Sequence, residues 1–280
     1  MNAPIGLALL LPVLAGLSTV LGSLLTVFLC KPGPRFMSFM MGFSGGVMVL
    51  VSFGELLQEG IVETGFALAY LAFFGGMAAM FLIDALIPHI HMGERHDAGP
   101  QLRAALMPAP RAHGHHGRPQ EAVGGDRVPR GRLLKTGLLV ALGIGVHNFP
   151  EGITSFAGTL HDPALGISIA IAIGLHNIPE GIAVSTPVYA ATGSRAKALL
   201  WSTLSGLAEP VGALLAAAFL LPFLNATVLG LTLAAVAGIM VFISLDELIP
   251  VASSFGEEHL SILGVMAGMA VMALSLAMLR

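Results

Sequence analysis

Long apolar runs alternate with short polar breaks along this chain. Eight runs reach spanning length: Ile5–Leu29, Phe36–Leu57, Phe66–Pro88, Leu133–Gly158, Ala164–Ala190, Ala198–Leu221, Thr227–Pro250 and Leu260–Leu279. A helix needs about 20 apolar residues to cross the hydrocarbon of a bilayer. The pattern therefore predicts an all-α integral membrane protein, one domain over residues 1–280, with eight transmembrane helices. Asp162-Pro163 separates the fourth run from the fifth, and Pro222 to Asn225 the sixth from the seventh. Both breaks carry turn residues. The first run has no basic segment ahead of it and is too long for a signal-peptide core, so it reads as a span. One segment departs from the pattern. Residues 89–132 are rich in Pro, Gly and Arg and hold His89, His91, His96, His113, His115 and His116. Such a composition buries no core and predicts a flexible loop.

Charge orients the spans. Of the 13 Lys and Arg, two (Lys31, Arg35) fall in the first connection, eight in and just after the third, and two (Arg195, Lys197) in the fifth. Those three connections share one side of the membrane. Cytoplasmic loops carry the excess of Lys and Arg, so the His-containing loop is expected in the cytoplasm and both termini outside it. Glu59, Glu63 and Asp162 fall on the opposite side. Composition agrees: 55% of residues are hydrophobic and 10% charged, against about 25% charged in soluble domains. The lipid bilayer is thus an expected partner. No basic cluster suits nucleic acid. The single cysteine, Cys30, excludes an intrachain disulfide and a thiolate cluster.

The informative positions are polar ones inside apolar runs. His147-Asn148-Phe149-Pro150-Glu151-Gly152 and His176-Asn177-Ile178-Pro179-Glu180-Gly181 are near-identical hexapeptides in consecutive spans. Buried ionisable groups are costly unless they pair or bind an ion, so in a membrane they mark function. On a helix, residues four apart share a face, which aligns His147 with Glu151 and His176 with Glu180. Asn148 and Asn177 turn to a neighbouring sector. Pro150 and Pro179 each delete a backbone hydrogen bond and predict an opened or broken helix along an ion path. A third carboxylate, Glu209, stands beside Pro210 in the sixth run, and no Lys or Arg lies mid-span. Three such carboxylates repel one another unless protonated or neutralised by a cation. Imidazole, carboxylate and carboxamide donors together suit Zn²⁺, Fe²⁺, Co²⁺, Ni²⁺ or Mn²⁺. Glu55, Asp84, Asp246 and Glu247 are expected near helix ends, at the membrane–water interface. Met48 reads as core filler or as a soft ligand. Asp84-Ala-Leu-Ile-Pro88 and Asp246-Glu-Leu-Ile-Pro250 hint at an internal repeat.

At these residues the chain resembles the ZIP (Zrt-/Irt-like) family of metal transporters, close to its bacterial ZupT-type branch. The matching motifs are the two hexapeptides, Ser205-Gly-Leu-Ala-Glu-Pro210, Ser244-Leu-Asp-Glu-Leu-Ile-Pro250 and Pro187-Val-Tyr-Ala-Ala-Thr-Gly-Ser194. The resemblance implies eight helices in a 3+2+3 arrangement with both termini extracytoplasmic. It implies a two-metal site: one ion on His147, Glu151, His176 and Glu180 with Met48 added, the other sharing Glu151 and Glu180 and adding Asn148, Asn177 and Glu209. Asp246 and Glu247 match a region for auxiliary ions on the exit side. The implied function is import of zinc, with iron, manganese, cobalt and cadmium, across the bacterial inner membrane, and a homodimer is the candidate assembly. No enzyme activity and no resident cofactor are expected. Two rival readings stay open from the residues alone: an intramembrane zinc hydrolase, and a metal sensor without transport. No His-Glu-x-x-His stretch supports the first.

Overall fold

The computed structural model describes residues 5–29, 33–86, 130–223 and 225–279. Cys30, Lys31 and the connection holding the six loop histidines lie outside the described residues. Every described element is helical. The rods are α1 (Ile5–Phe28), α2 (Pro34–Thr64), α3 (Phe66–Ala85), α4 (Arg130–His161), α5 (Pro163–Thr192), α6 (Arg195–Phe223), α7 (Ala226–Ser254) and α8 (Glu258–Met278). Among the described residues, seven of these rods are long and apolar enough to cross a membrane. Their outer faces carry exposed Leu71, Phe74, Phe81 and Phe219, surfaces that lipid covers without cost.

Two rods outrun their apolar stretches. α2 continues past Leu57 to Thr64, where Gly65 stops it at φ 81°. α7 runs on to Ser254. Each contains a single wide π-turn, Ser52–Leu56 in α2 and Ser244–Leu248 in α7. Expected near a helix end, Glu55 instead sits within the α2 π-turn and is buried. Polar residues after Leu57 made the rod look finished, but they continue the helix. α4 and α5 also differ from expectation. Both are unbroken helices with Pro150, Pro179 and Pro187 inside them. α6 is the interrupted one: its α-helix stops at Gly206 and resumes at Ala208, just before Glu209-Pro210.

Glycines set how the rods pair. A Cβ on Gly152 would strike the carbonyl of Glu209, and one on Gly212 the carbonyl of Phe149, so α4 and α6 clasp each other backbone to backbone. α5 and α1 do the same through Gly181 against Thr19 and Gly22 against Ile178. Gly16 and Gly206 join α1 to α6. A second group closes alike: Gly42 and Gly46 of α2 with Gly264 and Gly268 of α8, and Gly76 of α3 with Gly238 of α7. The chain is thus two clasped bundles, α1/α4/α5/α6 and α2/α3/α7/α8, meeting along a seam where α2 packs on α5 and α7 on α4. Close glycine contact lets Cα–H groups meet carbonyls, the usual cement between membrane helices.

Candidate metal site

Both hexapeptides lie mid-rod, and α4 and α5 are joined only by Asp162. The chain reverses there: the Asp162 side chain accepts from the Ala164 amide at 3.0 Å and Pro163 opens α5. The reversal sets the two motifs side by side. Glu151 of α4 meets His176 of α5, Oε1 to Nε2 at 3.1 Å, both with zero exposure. The contact joins the two motifs crosswise rather than closing within one helix.

Glu209 arrives from α6. Its Oε1 accepts from Asn177 Nδ2, which also donates to the carbonyl of Ala15 on α1 at 3.1 Å. Asn148 Nδ2 donates to the Ser205 carbonyl at 3.3 Å. Each carboxamide thus spends its N–H on a fixed partner and turns its oxygen elsewhere. Asn148 Oδ1, Asn177 Oδ1, Glu151 Oε2 and Glu209 Oε2 are buried with no hydrogen-bond partner. Glu180 is buried among them. Among the described residues, these four orphan oxygens from three helices form a set without a hydrogen-bond donor. Leaving such atoms unsatisfied costs about 1–3 kcal/mol each, more for charged ones. A cation satisfies several such oxygens at once and also neutralises the carboxylates.

Other expected residues fall around this centre. Met48 has zero exposure, and Ser44, one turn before it, donates to the His176 carbonyl at 3.2 Å. That places this stretch of α2 against α5. Glu247 Oε2 stands 3.6 Å from where a Cβ on Gly143 would lie, one turn before His147. Asp246 is exposed. His147 lies in α4, but its side chain is outside the described residues. Among the described residues, no three His, Cys, Asp or Glu side chains already close on one point. The donors are neighbours rather than a finished cage.

The sequence reading missed α1. Its Ala15 carbonyl fixes Asn177, and its small residues Ala15, Thr19 and Gly22 lie against α5 and α6. The signal was present as small residues three and four apart. It also missed Ser205, whose backbone rather than side chain fixes Asn148.

The model of the family described as ZIP Zinc transporter matches residues 8–276. The chain belongs to the ZIP family. Among curated ZIP relatives, the zinc transporter ZupT of Nitratidesulfovibrio vulgaris is 48% identical, with 96% of each chain covered. The Corynebacterium aurimucosum zinc transporter ZupT is 44% identical over 99% of this chain and 98% of its own. That of Lysinibacillus sphaericus is 45% identical over the full length of both. These relatives are named as transporters and not as enzymes. ZIP membership and the apolar rods make this a multi-pass membrane protein.

Proposed function

We propose that the chain imports divalent transition-metal ions, zinc first, with iron, manganese, cobalt and cadmium as further substrates, across the bacterial inner membrane. One observation carries the reading: Glu151, Glu180 and Glu209, from three helices, have zero exposure, and no Lys or Arg of the sequence lies mid-span beside them. A divalent ion supplies the missing charge. In this reading α4 crosses as well, giving eight spans, and Arg35, Arg195 and Lys197 mark the cytoplasmic end, with both termini outside. The arrangement is the family's 3+2+3, and two copies form a homodimer in the bilayer. The cytoplasmic loop histidines receive the released ion.

His147, His176, Glu151 and Glu180 hold one ion, with Met48 as an added soft donor. Asn148, Asn177 and Glu209 hold a second that shares Glu151 and Glu180. Asp246 and Glu247 serve the exit. Two cations on shared carboxylates repel, which weakens each and speeds release; binding must stay weak enough to let go. Because ligands must be deprotonated, uptake falls as pH is lowered through imidazole protonation. The test is zinc uptake into proteoliposomes. Wild type should accumulate zinc, and Glu151→Gln should not. Absent flux with folded wild type would sink the proposal, and so would unchanged flux in Glu151→Gln or His176→Ala.

A further inference from the structure

One more pair of metal-ligating side chains is brought together away from the buried centre. Glu63 stands in the last turn of α2 and His161 ends α4. Their Oε1 and Nε2 stand 3.4 Å apart, with side chains 17% and 32% exposed. That separation is long for an N–H···O hydrogen bond, which spans about 2.7–3.2 Å. It is the distance expected between two ligands on one tetrahedral zinc. With Zn–N and Zn–O near 2.0–2.1 Å, tetrahedral geometry places the donors about 3.3 Å apart.

The surroundings favour a cation. Glu59 lies one turn before Glu63, and Asp162 follows His161. The described basic residues Arg35, Arg195 and Lys197 sit at the opposite rod ends. α7 presses on the stem of Glu63, since a Cβ on Gly230 would come within 2.6 Å of the Glu63 Cβ. The carboxylate is therefore positioned rather than free to sweep. Partial exposure leaves room for water on the remaining coordination positions, as a transient site requires.

We propose that His161 and Glu63 form an outer capture site for a zinc-type divalent cation. One imidazole and one carboxylate hold the ion, with waters completing the shell, before it reaches the buried centre. The pair bridges the two bundles at the mouth of the seam. This proposal rests on the transport reading given above.

Three variants test it by zinc uptake. His161→Arg keeps an ion pair with Glu63 but cannot ligate, so the KM for zinc rises about tenfold while the maximal rate is retained. Glu63→Gln behaves the same way. His161→Cys keeps a ligand and loses the ion pair, so its KM stays near wild type and its preference shifts toward soft Cd²⁺ over Mn²⁺. A wild-type KM in His161→Arg overturns the proposal, as does a raised KM in His161→Cys with no shift toward Cd²⁺. Zinc bound by the purified, detergent-solubilised protein in equilibrium dialysis over a range of zinc concentrations is a separate readout, in which His161→Arg loses about one weak site per chain; an unchanged zinc count at saturation overturns the site. If wild type takes up no zinc, the transport reading fails and the zinc count still decides the outer site.

Discussion

Asn177 is the residue on which the centre turns. One amide group donates to both the Ala15 carbonyl and Glu209, so it ties α1, α5 and α6 together. Replacing it with Leu strips Glu209 of its described donor in a fully buried position. The expected cost is about 1–3 kcal/mol, read as a lower melting temperature in detergent, with zinc added back recovering part of it by binding. Asn177→Asp should be worse without metal and better with it, because a fourth carboxylate raises both the repulsion and the attraction for a cation. A variant equally unstable with and without zinc would show Asn177 to be structural only. For Met48, Met48→Leu preserves packing with little loss of stability, so a raised KM for zinc in that variant reports a lost thioether donor, whereas an unchanged KM assigns Met48 to the core.

At the scale of helices, the repeated hexapeptide explains its own last residue. The carbonyl of its third residue and the Cα of its closing glycine do the same work twice: Phe149 and Gly152 clasp α6, Ile178 and Gly181 clasp α1. Gly152→Ala or Gly181→Ala forces backbone against backbone and should cost about 1–3 kcal/mol, with loss of folded protein in detergent. Gly75→Ala is the control. A Cβ there meets nothing within 4 Å, and the exchange of Gly for Ala in a helix gains up to about 1 kcal/mol. Much of this level was legible in the sequence. The i, i+4 spacing predicted which face His176 and Glu180 share, and the apolar runs located the rods. The outcome at Pro150 and Pro179 was not legible, because local chemistry predicts a break and only the neighbouring helices hold the turn closed. Glu55 was misplaced for a related reason: the end of hydrophobicity is not the end of a helix. The crosswise His176–Glu151 contact depends on the α4–α5 reversal and on packing, which spacing within one helix does not encode.

For the whole molecule, the division into two clasped bundles says where substitutions should be tolerated. Side-chain contacts along the seam can re-form after small changes, whereas glycine–carbonyl contacts inside a bundle have no slack. Side-chain changes along the seam should therefore alter transport rate before stability, and clasp variants the reverse, checked by measuring uptake and melting temperature on the same set. A further consequence comes from the single-residue link at Asp162. Because the chain turns back there, the second hexapeptide runs antiparallel to the first. In the transport reading proposed above, an ion approaching from either face of the membrane meets the hexapeptide residues in the same succession, once along α4 and once along α5. The paired hexapeptides thus have no preferred direction, and Glu209 of α6, held by Asn177, is the unpaired donor that breaks their symmetry. Vectorial movement then comes from the metal gradient, from Glu209 and from the unlike groups at the two mouths. Vesicles preloaded with zinc and diluted into chelator should release it at a rate comparable to uptake under the reverse gradient, and strict one-way flux would place a rectifying element in the centre itself.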